Sequence, residues 1–267
     1  MLIAIGLTLS VVVVLCVIGV IVWWFVNRNI VKKQSSKAPV FSESEGEIVL
    51  IYQYFLHGDE TRRRELMDCL KRNAENPFID KIFLLNERIY TNEELGTESD
   101  KIQQINVEHR LKFSDVFEFV EKENLNGYII TCNADIFFDK SLQNLYVSGM
   151  DRNKIMYGQL RFEYTDKELD KCKIFGPRGD SQDTWIYHSN YNIKGPHRKD
   201  FDFHFGIGGC DNRVLHNFDS LGFTVINDPY FVKTYHNHKE PLSSHQWVNK
   251  PSIPRPYLFL NPYIEKH

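Results

Sequence analysis

The stretch YIITCNAD, residues 128–135, decides the fold of this chain. Its first five residues are apolar or β-branched, which predicts a strand that is buried on both faces. The strand ends in Asn133, Ala134 and Asp135, where the polar side chains indicate a turn. Buried strands of this kind belong to sheets covered by helices, and ligands bind such sheets beyond the carboxyl ends of their strands.

The segments on either side of this strand alternate between strand-like and helix-like patterns. Short apolar runs predict strands, whereas apolar residues at helical spacing among charged ones predict amphipathic helices. Such alternation indicates an α/β fold with a mostly parallel sheet flanked by helices. The predicted strands cover residues 48–52, 82–85, 102–107, 155–162, 184–188 and 223–226, and the predicted helices cover about 60–75, a segment capped by Ser114, and 212–218.

Leu2 to Val26 is a run of 25 residues without a charged side chain. A helix of this length exceeds the hydrocarbon core of a bilayer, which is about 30 Å thick. No Lys or Arg precedes the run, and the run is longer than the apolar segment of a signal peptide. We therefore expect a single uncleaved transmembrane helix within residues 1–27, followed by a polar linker over residues 28–46.

The charges beside this run predict its orientation. Arg28, Lys32, Lys33 and Lys37 all follow the run. Because Lys and Arg near a span are retained in the cytoplasm, they place the large domain on the cytoplasmic side of the membrane. A lumenal orientation is the alternative.

The composition is that of one soluble domain with extensions. Hydrophobic residues make up 42% of the 267 residues and charged residues 25%. Four of the 32 basic residues and none of the 35 acidic residues lie before residue 40, so the remainder is acidic. Proteins that bind nucleic acid by general electrostatics are normally basic, and we expect no nucleic-acid partner. The domain is predicted over residues 47–240, and a tail rich in Pro and aromatic residues, 241–267, is expected to pack on it.

Two polar clusters carry acids that could do chemistry. In NADIFFD, residues 133–139, Asp135 can hold a hard divalent cation, which in turn binds diphosphate oxygens. Asp135 can equally cap the turn that follows the strand. In GDSQDTW, residues 179–185, Asp183 is either a substrate-binding or catalytic carboxylate or a turn residue.

A glycine-rich loop and a histidine pair form two further clusters. Residues 206–213, GIGGCDNR, open a helix, so their backbone can approach a ligand closely and the helix dipole stabilises Asp211. As a helix-capping residue, Asp211 needs no function. His236 and His238 share one face of a strand, where they could bind a metal or form a polar surface pair. The four-ligand Cys/His spacing of zinc sites is absent from the sequence.

The order of these clusters resembles the GT-A type of nucleotide-sugar glycosyltransferases over about residues 47–240. Within that type, the chain is similar to a group of small glycosyltransferase-like proteins. The residues that carry the resemblance are Arg64-Glu65, Asn73, Asn76, Ile79-Asp80, NADIFFD at 133–139, QDTW at 182–185, GCDNR at 209–213, Asn227 and HNH at 236–238.

The resemblance implies a Rossmann-like GT-A domain with a divalent metal, Mn²⁺ or Mg²⁺. Asp135 matches the last acid of the family's Asp-x-Asp motif, which holds the metal against the donor diphosphate. Asn133 stands in place of the first acid, so the site has one negative charge less, although its amide can still bind the donor's ribose. His238, or else His236, matches the family's late histidine ligand. Arg110 is expected to meet the donor phosphates.

For catalysis, Asp211 resembles the acid that inverting members use as general base, with Asp183 as the second candidate. The implied function is a membrane-anchored glycosyltransferase that moves a sugar from a nucleotide-diphosphate donor to a hydroxyl of a glycan, a lipid-linked or a protein acceptor. The alternative is a catalytically inactive relative that binds a glycan or a nucleotide. A nucleotidyltransferase would have a glycine-rich basic loop after its first strand, where this chain has YQYF at residues 52–55. Eukaryotic relatives commonly face the Golgi lumen, which is the basis of the lumenal alternative.

Overall fold

The computed structural model describes residues 14–22, 29–165, 168–238 and 252–264. The strands are β1 (Ile30–Gln34), β2 (Glu47–Tyr52), β3 (Lys81–Asn86), β4 (Ile102–Asn106), β5 (Gly127–Cys132), β6 (Ile136–Phe138), β7 (Ile155–Gln159), β8 (Phe162–Glu163), β9 (Lys173–Ile174), β10 (Thr184–His188), β11 (Thr224–Ile226), β12 (Thr234–His236) and β13 (Tyr257–Asn261). Besides the helical residues 14–22, the α-helices of these segments are α1 (Glu60–Glu75), α2 (Asn92–Leu95), α3 (Phe113–Lys122) and α4 (Cys210–Ser220), and short 3-10 helices cover Lys140–Val147, Leu169–Lys171, Ser189–Tyr191 and Gly195–Phe201.

The central sheet has seven strands in the order β11-β7-β10-β5-β2-β3-β4. All of its neighbouring pairs are parallel except the two that involve β10. The strand β5 lies in the middle, and all six of its residues are buried. The predicted α/β class with a mostly parallel sheet is thereby confirmed.

The reversed direction of β10 positions two polar segments side by side. Thr184, the first residue of β10, pairs with Cys132, the last residue of β5. The backbone N–H of Asn133 then donates to the carbonyl oxygen of Asp183 at 3.0 Å. The loop before β10 and the turn after β5 therefore meet at the carboxyl edge of the sheet.

A second, smaller sheet in the order β6-β12-β8-β9 lies next to this edge. The single strand predicted over residues 155–162 divides between the two sheets as β7 and β8. Between them, the backbone N–H of Leu160 donates to the Asn227 side chain at 3.0 Å. Because a side chain takes this hydrogen bond, the ladder of the large sheet ends there, and β8 pairs with β12 instead.

The predicted cap of α3 was wrong. The helix begins at Phe113 and its N-cap residue is Lys112, so Ser114 lies inside the first turn. The Asp115 carboxylate accepts a hydrogen bond from the Lys112 backbone N–H at 2.8 Å. An acid within the helix therefore closes the first turn, which leaves no capping role for the Ser114 hydroxyl.

The segments on both sides of the predicted domain form regular structure. Within the expected linker 28–46, residues 30–34 form β1, which pairs in parallel with β13. Ser35 and Ala38 are buried, and the Ala38 N–H donates to Asp228 at 2.9 Å. The Pro- and aromatic-rich composition around β13 gave no sign of a strand, because pairing between segments this distant leaves no local pattern. Buried Leu258 and Leu260 fix β13 to the domain.

The predicted transmembrane helix over residues 1–27 lies largely outside the described residues. Residues 14–22 are helical and their side chains are exposed. Within the described part of the chain, no helix is both long and apolar enough to cross a membrane.

Candidate functional site

A buried amide on α1 and another at its C-cap hold the segment that follows β5. The Asn73 side chain donates to the carbonyl oxygen of Ile136 at 2.9 Å and accepts from the N–H of Phe138 at 3.2 Å, as a neighbouring strand would. The Asn76 side chain donates to the carbonyl oxygen of Phe138 at 3.1 Å. These bonds satisfy the backbone N–H and C=O groups along the inner edge of β6 and fix the backbone immediately after Asp135.

The Asp135 carboxylate lies between two cationic groups. Its Oδ2 accepts from Arg62 Nη2 at 2.8 Å and contacts His236 Nε2 at 3.1 Å. Only 17% of the Asp135 side chain is exposed, and burial opposes its ionisation. The charges of His236 and Arg62 nevertheless hold the pKa of Asp135 well below its usual range, so Asp135 is a carboxylate at neutral pH.

Asp135, His236 and His238 could together hold a metal ion. One ligand atom from each of the three lies within 4.8 Å of the others, and no comparable group of His, Cys, Asp and Glu occurs elsewhere in the described segments. Glu163 Oε2 contacts His236 Nδ1 at 3.1 Å, which orients the imidazole as carboxylates commonly orient metal-binding histidines. Two imidazoles and one carboxylate suit a first-row transition ion better than Mg²⁺, which prefers oxygen ligands. The donor set therefore fits a divalent metal such as Mn²⁺.

Asn133 and Asp183 form part of a buried hydrogen-bonded chain. Asn133 Nδ2 donates to Asp183 Oδ1 at 2.8 Å, and Arg161 Nη1 donates to Asp183 Oδ2 at 2.7 Å. Arg161 Nε also donates to Glu163 Oε1 at 2.8 Å. Through Glu163 and His236, one buried guanidinium thus connects Asp183 to the candidate metal ligands.

Sequence reasoning missed Arg161, Glu163 and Arg62. Glu163 meets His236 because β8 pairs in parallel with β12, in a register that places these two residues opposite each other. Arg62 lies in the first turn of α1 and reaches Asp135 across 73 positions of sequence. No local sequence pattern marks these contacts, because the register of distant strands and the packing of α1 cannot be read from local patterns.

Asp211 occupies the first turn of α4, which begins after Gly209 in the left-handed conformation. A side chain at Gly209 would collide with Tyr257 of β13, so glycine is required by both the backbone angle and the close approach. Burial and the negative charge of Asp183 raise the pKa of Asp211 to about 7. The Cys210 thiol donates to Asp211 Oδ1 at 2.9 Å. Asp211 is therefore poised between its acidic and basic forms near neutral pH.

A cavity of about 640 Å³ opens at the carboxyl ends of β2, β3 and β5. Of the residues predicted from sequence, Asn133, Asp135 and Arg110 line this cavity, whereas Asp183, Asp211, His236 and His238 do not. Arg110 is exposed and its guanidinium donates to the carbonyl oxygen of Phe205. The remaining walls are formed by Gln53, Phe55, Leu56, Arg62, Leu66, Glu87, Tyr90, Leu111, Cys132, Ala134, Phe205 and Gly206.

No protein-family model and no curated protein matches this chain. Among solved structures, the chain is similar to the mannosyltransferase PcManGT from Pyrobaculum calidifontis in complex with GDP-Man and Mn²⁺, at 10% identity and a TM-score of 0.51. That match covers 78% of this chain and 61% of the mannosyltransferase. The fold is GT-A-like.

Two further solved structures are similar at lower TM-scores. One is GalNAc-T7 with UDP, GalNAc and Mn²⁺, at 10% identity and a TM-score of 0.47, covering 73% of this chain and 44% of that one. The other is 4-diphosphocytidyl-2C-methyl-D-erythritolsynthase from Anaerococcus prevotii DSM 20548, at 14% identity and a TM-score of 0.43, covering 74% and 92%. The chain thus spans less than two thirds of the length of both glycosyltransferases.

The raised pKa of Asp211 predicts how its replacement changes stability. Between its ordinary pKa of about 4 and the folded value of about 7, the unfolded chain loses the Asp211 proton more readily than the folded chain does. Ionisation therefore destabilises the folded protein as the pH rises, and Asp211→Asn removes this cost. We expect the variant to exceed the wild type in free energy of unfolding by about 1–3 kcal/mol at pH 8, with the difference shrinking towards pH 4.

Urea unfolding at pH 5 and pH 8 measures this difference. Asp202→Asn is the matched control, because a hydrogen bond from Lys112 lowers the pKa of Asp202 and its replacement should give no such gain. An Asp211→Asn difference that does not grow with pH would show that Asp211 ionises normally in the folded protein.

Proposed function

We propose that this protein is a glycosyltransferase that moves a sugar from a nucleoside-diphosphate donor to a hydroxyl of an acceptor, assisted by a divalent metal, Mn²⁺. The observation that carries the proposal is the group formed by Asp135, His236 and His238 at the carboxyl edge of a GT-A-like sheet. Ligands bind sheets of this type at that edge. A solved structure with a similar fold, the mannosyltransferase, contains GDP-Man and Mn²⁺, which supports this donor class and metal.

The cavity beside Asp135 has the chemistry that a nucleoside diphosphate requires. Arg62 and Arg110 both line it, and guanidinium groups bind phosphate oxygens with paired hydrogen bonds. The Asn133 amide nitrogen is used by Asp183, which leaves the amide oxygen for a donor hydroxyl such as that of ribose. At about 640 Å³, the cavity is within the usual range for small-molecule sites.

Transfer of the sugar separates charge between the anomeric carbon and the leaving diphosphate. A metal bound by Asp135, His236 and His238 would supply positive charge next to that diphosphate and so lower the barrier. Arg62 and Arg110 add fixed positive charge at the same cavity. These residues therefore bind and orient the leaving group.

Asp211 is the better candidate for the base that takes the proton from the acceptor hydroxyl. A general base works best when its pKa is close to the working pH, and the pKa of Asp211 is about 7. Asp183, the second candidate, already accepts hydrogen bonds on both oxygens, from Asn133 and from Arg161. We assign Asp183 to positioning, because these hydrogen bonds already occupy both of its carboxylate oxygens.

The acceptor is a glycan, a lipid-linked or a protein hydroxyl presented near a membrane. This part of the proposal rests on the uncharged run at residues 2–26, which ends only a few residues before β1. The basic residues that follow the run favour a single-pass protein whose large domain faces the cytoplasm.

A protease-protection assay on sealed vesicles tests this orientation. We expect protease added outside right-side-out microsomes to digest the large domain. A protected domain would instead establish the lumenal orientation.

A catalytically inactive binding module is the second candidate, and the polar contacts of the site favour it in one respect. Asn133 supplies no charge, and the single carboxylate of Asp135 is already paired with Arg62 and His236. Such a site could bind a nucleotide or glycan without transferring a sugar.

Binding of a nucleoside diphosphate should depend on the metal. Calorimetric titration of the full-length protein with UDP, GDP and CDP is expected to detect one tight ligand in the presence of Mn²⁺ and weaker binding with EDTA. At 100 times its Kd, that ligand should stabilise the folded protein by about 2.7 kcal/mol in a thermal-shift assay.

Asp135→Asn should lose the Mn²⁺-dependent part of this binding, because the variant lacks the anionic ligand. Asp202→Asn removes an exposed acid and is the matched control. Absence of binding to every nucleotide under all conditions would reject a nucleotide-sugar donor.

Asp211→Asn should abolish sugar transfer while nucleotide affinity stays within about twofold. General-base catalysis contributes typically about 10²–10⁴-fold to a rate, so turnover should fall by that factor. Radiolabelled sugar transfer by Asp211→Asn and Asp183→Asn, each paired with a nucleotide titration, makes the measurement. Equal turnover by Asp211→Asn and the wild type would remove Asp211 from the mechanism, and nucleotide binding without transfer by the wild type would favour the inactive module.

A further inference from the structure

Arg62 and a metal at the candidate site would both contact the Asp135 carboxylate. Arg62 Nη2 lies 2.8 Å from Asp135 Oδ2, and His236 Nε2 lies 3.1 Å from the same atom. Both Asp135 and Arg62 line the cavity, and 20% of the Arg62 side chain is exposed. The contact is therefore at the accessible edge of the site.

A metal held by Asp135, His236 and His238 requires these contacts to change. The His236 nitrogen that contacts Asp135 must present a lone pair to the metal, since a protonated nitrogen cannot ligate. The Asp135 carboxylate must likewise direct a lone pair at the metal. A guanidinium that remained in contact would also be repelled by the divalent charge. Metal binding therefore favours displacement of Arg62 Nη2 from Asp135.

A second set of hydrogen bonds keeps the displaced guanidinium at the cavity. Arg62 Nη1 donates to Glu65 Oε2 at 2.5 Å and to the carbonyl oxygen of Asn237 at 3.2 Å. Glu65 is buried one turn further along α1. The guanidinium of Arg62 can rotate while Nη1 keeps these hydrogen bonds. This rotation would point Nη2 into the cavity and leave the rest of the side chain in place.

We propose that Arg62 is an exchangeable cation, which neutralises Asp135 when no metal is bound and binds the donor diphosphate when the metal and the nucleotide bind together. This assignment rests on the proposed function. Of the two motif positions, Asn133 is neutral and only Asp135 is an acid. Arg62 offsets the charge of Asp135, so the site without a metal attracts the metal weakly. The diphosphate gives Arg62 a new anionic partner and thereby couples nucleotide binding to metal binding.

Titration of Mn²⁺ alone into the full-length protein tests the first half of the proposal. We expect Arg62→Met to bind Mn²⁺ about tenfold more tightly than the wild type, because the competing cation is gone. Arg64→Met is the matched control, since Arg64 lies on the same helix but pairs with Glu60 at the surface rather than with Asp135. The control removes the same charge and should change the Mn²⁺ affinity by no more than about twofold.

Titration of UDP and GDP at saturating Mn²⁺ tests the second half. Arg62→Met should bind the preferred nucleotide about tenfold more weakly than the wild type, whereas Arg62→Lys, which keeps the charge, should bind it with an intermediate affinity. Tighter metal binding combined with weaker nucleotide binding is a pattern that a purely structural role of Arg62 does not produce. Arg62→Lys also serves as the test if Arg62→Met fails to fold. We expect Arg62→Lys to bind Mn²⁺ more tightly than Arg64→Met does, although the gain should be smaller than that expected for Arg62→Met.

The outcomes separate this proposal from the proposed function. If the wild type binds Mn²⁺ and nucleotide but the Arg62 variants match Arg64→Met for both ligands, the exchange is overturned and the donor site stands. If none of the proteins binds Mn²⁺ or nucleotide, both proposals fail. If the Arg62 variants bind Mn²⁺ without nucleotide and the other proteins do not, the competition between Arg62 and the metal is established directly.

Discussion

The cost of burying ionised carboxylates governs the arrangement of this site. Asp135, Asp183 and Glu65 are mostly or fully removed from water, and an uncompensated charge in such a place costs several kcal/mol. Each acid is offset by a cation that comes from elsewhere in the chain. Arg62 serves Asp135 and Glu65, and Arg161 serves Asp183. The positions of these two arginines therefore decide where the carboxylates can point.

The backbone that carries Asp135 is fixed by neutral groups as well. The Asn73 amide of α1 replaces a missing neighbouring strand beside β6, so the turn after β5 is held without a charge. The same helix supplies Arg62, which reaches the Asp135 carboxylate from the opposite end of α1. One helix thus orients both the backbone and the side chain of the residue on which the metal hypothesis depends.

We propose different roles for Asp183 and Asp211 because their surroundings differ. Asp183 is held by Arg161 and Asn133, and its charge helps to raise the pKa of Asp211 to about 7. Neighbouring titratable groups whose environments differ in this way are typical of acid–base chemistry. The β10 strand makes this possible, since its reversed direction brings the Asp183 loop to the same edge as the turn after β5.

The sequence by itself determined the local elements and the chemistry of individual motifs. The apolar runs of β2, β3 and β5 and the helical spacing in α1 report burial and period, which are local properties, and the structure reproduces them. The sequence also identified Asp135, Asn133 and Arg110 as neighbours of one site, through the resemblance rather than through contact information. The N-cap of α3, the division between β7 and β8, and the strands β1 and β13 were not foreseen.

Only the tertiary structure decided which residues meet. The pairing of β8 with β12 placed Glu163 against His236, and the packing of α1 placed Arg62 against Asp135. Such contacts join residues far apart in sequence and depend on strand register and on the balance between desolvation and ion pairing, which no local pattern encodes. For that reason the sequence could indicate a metal-binding acid, while the structure alone revealed the arginine that pairs with it.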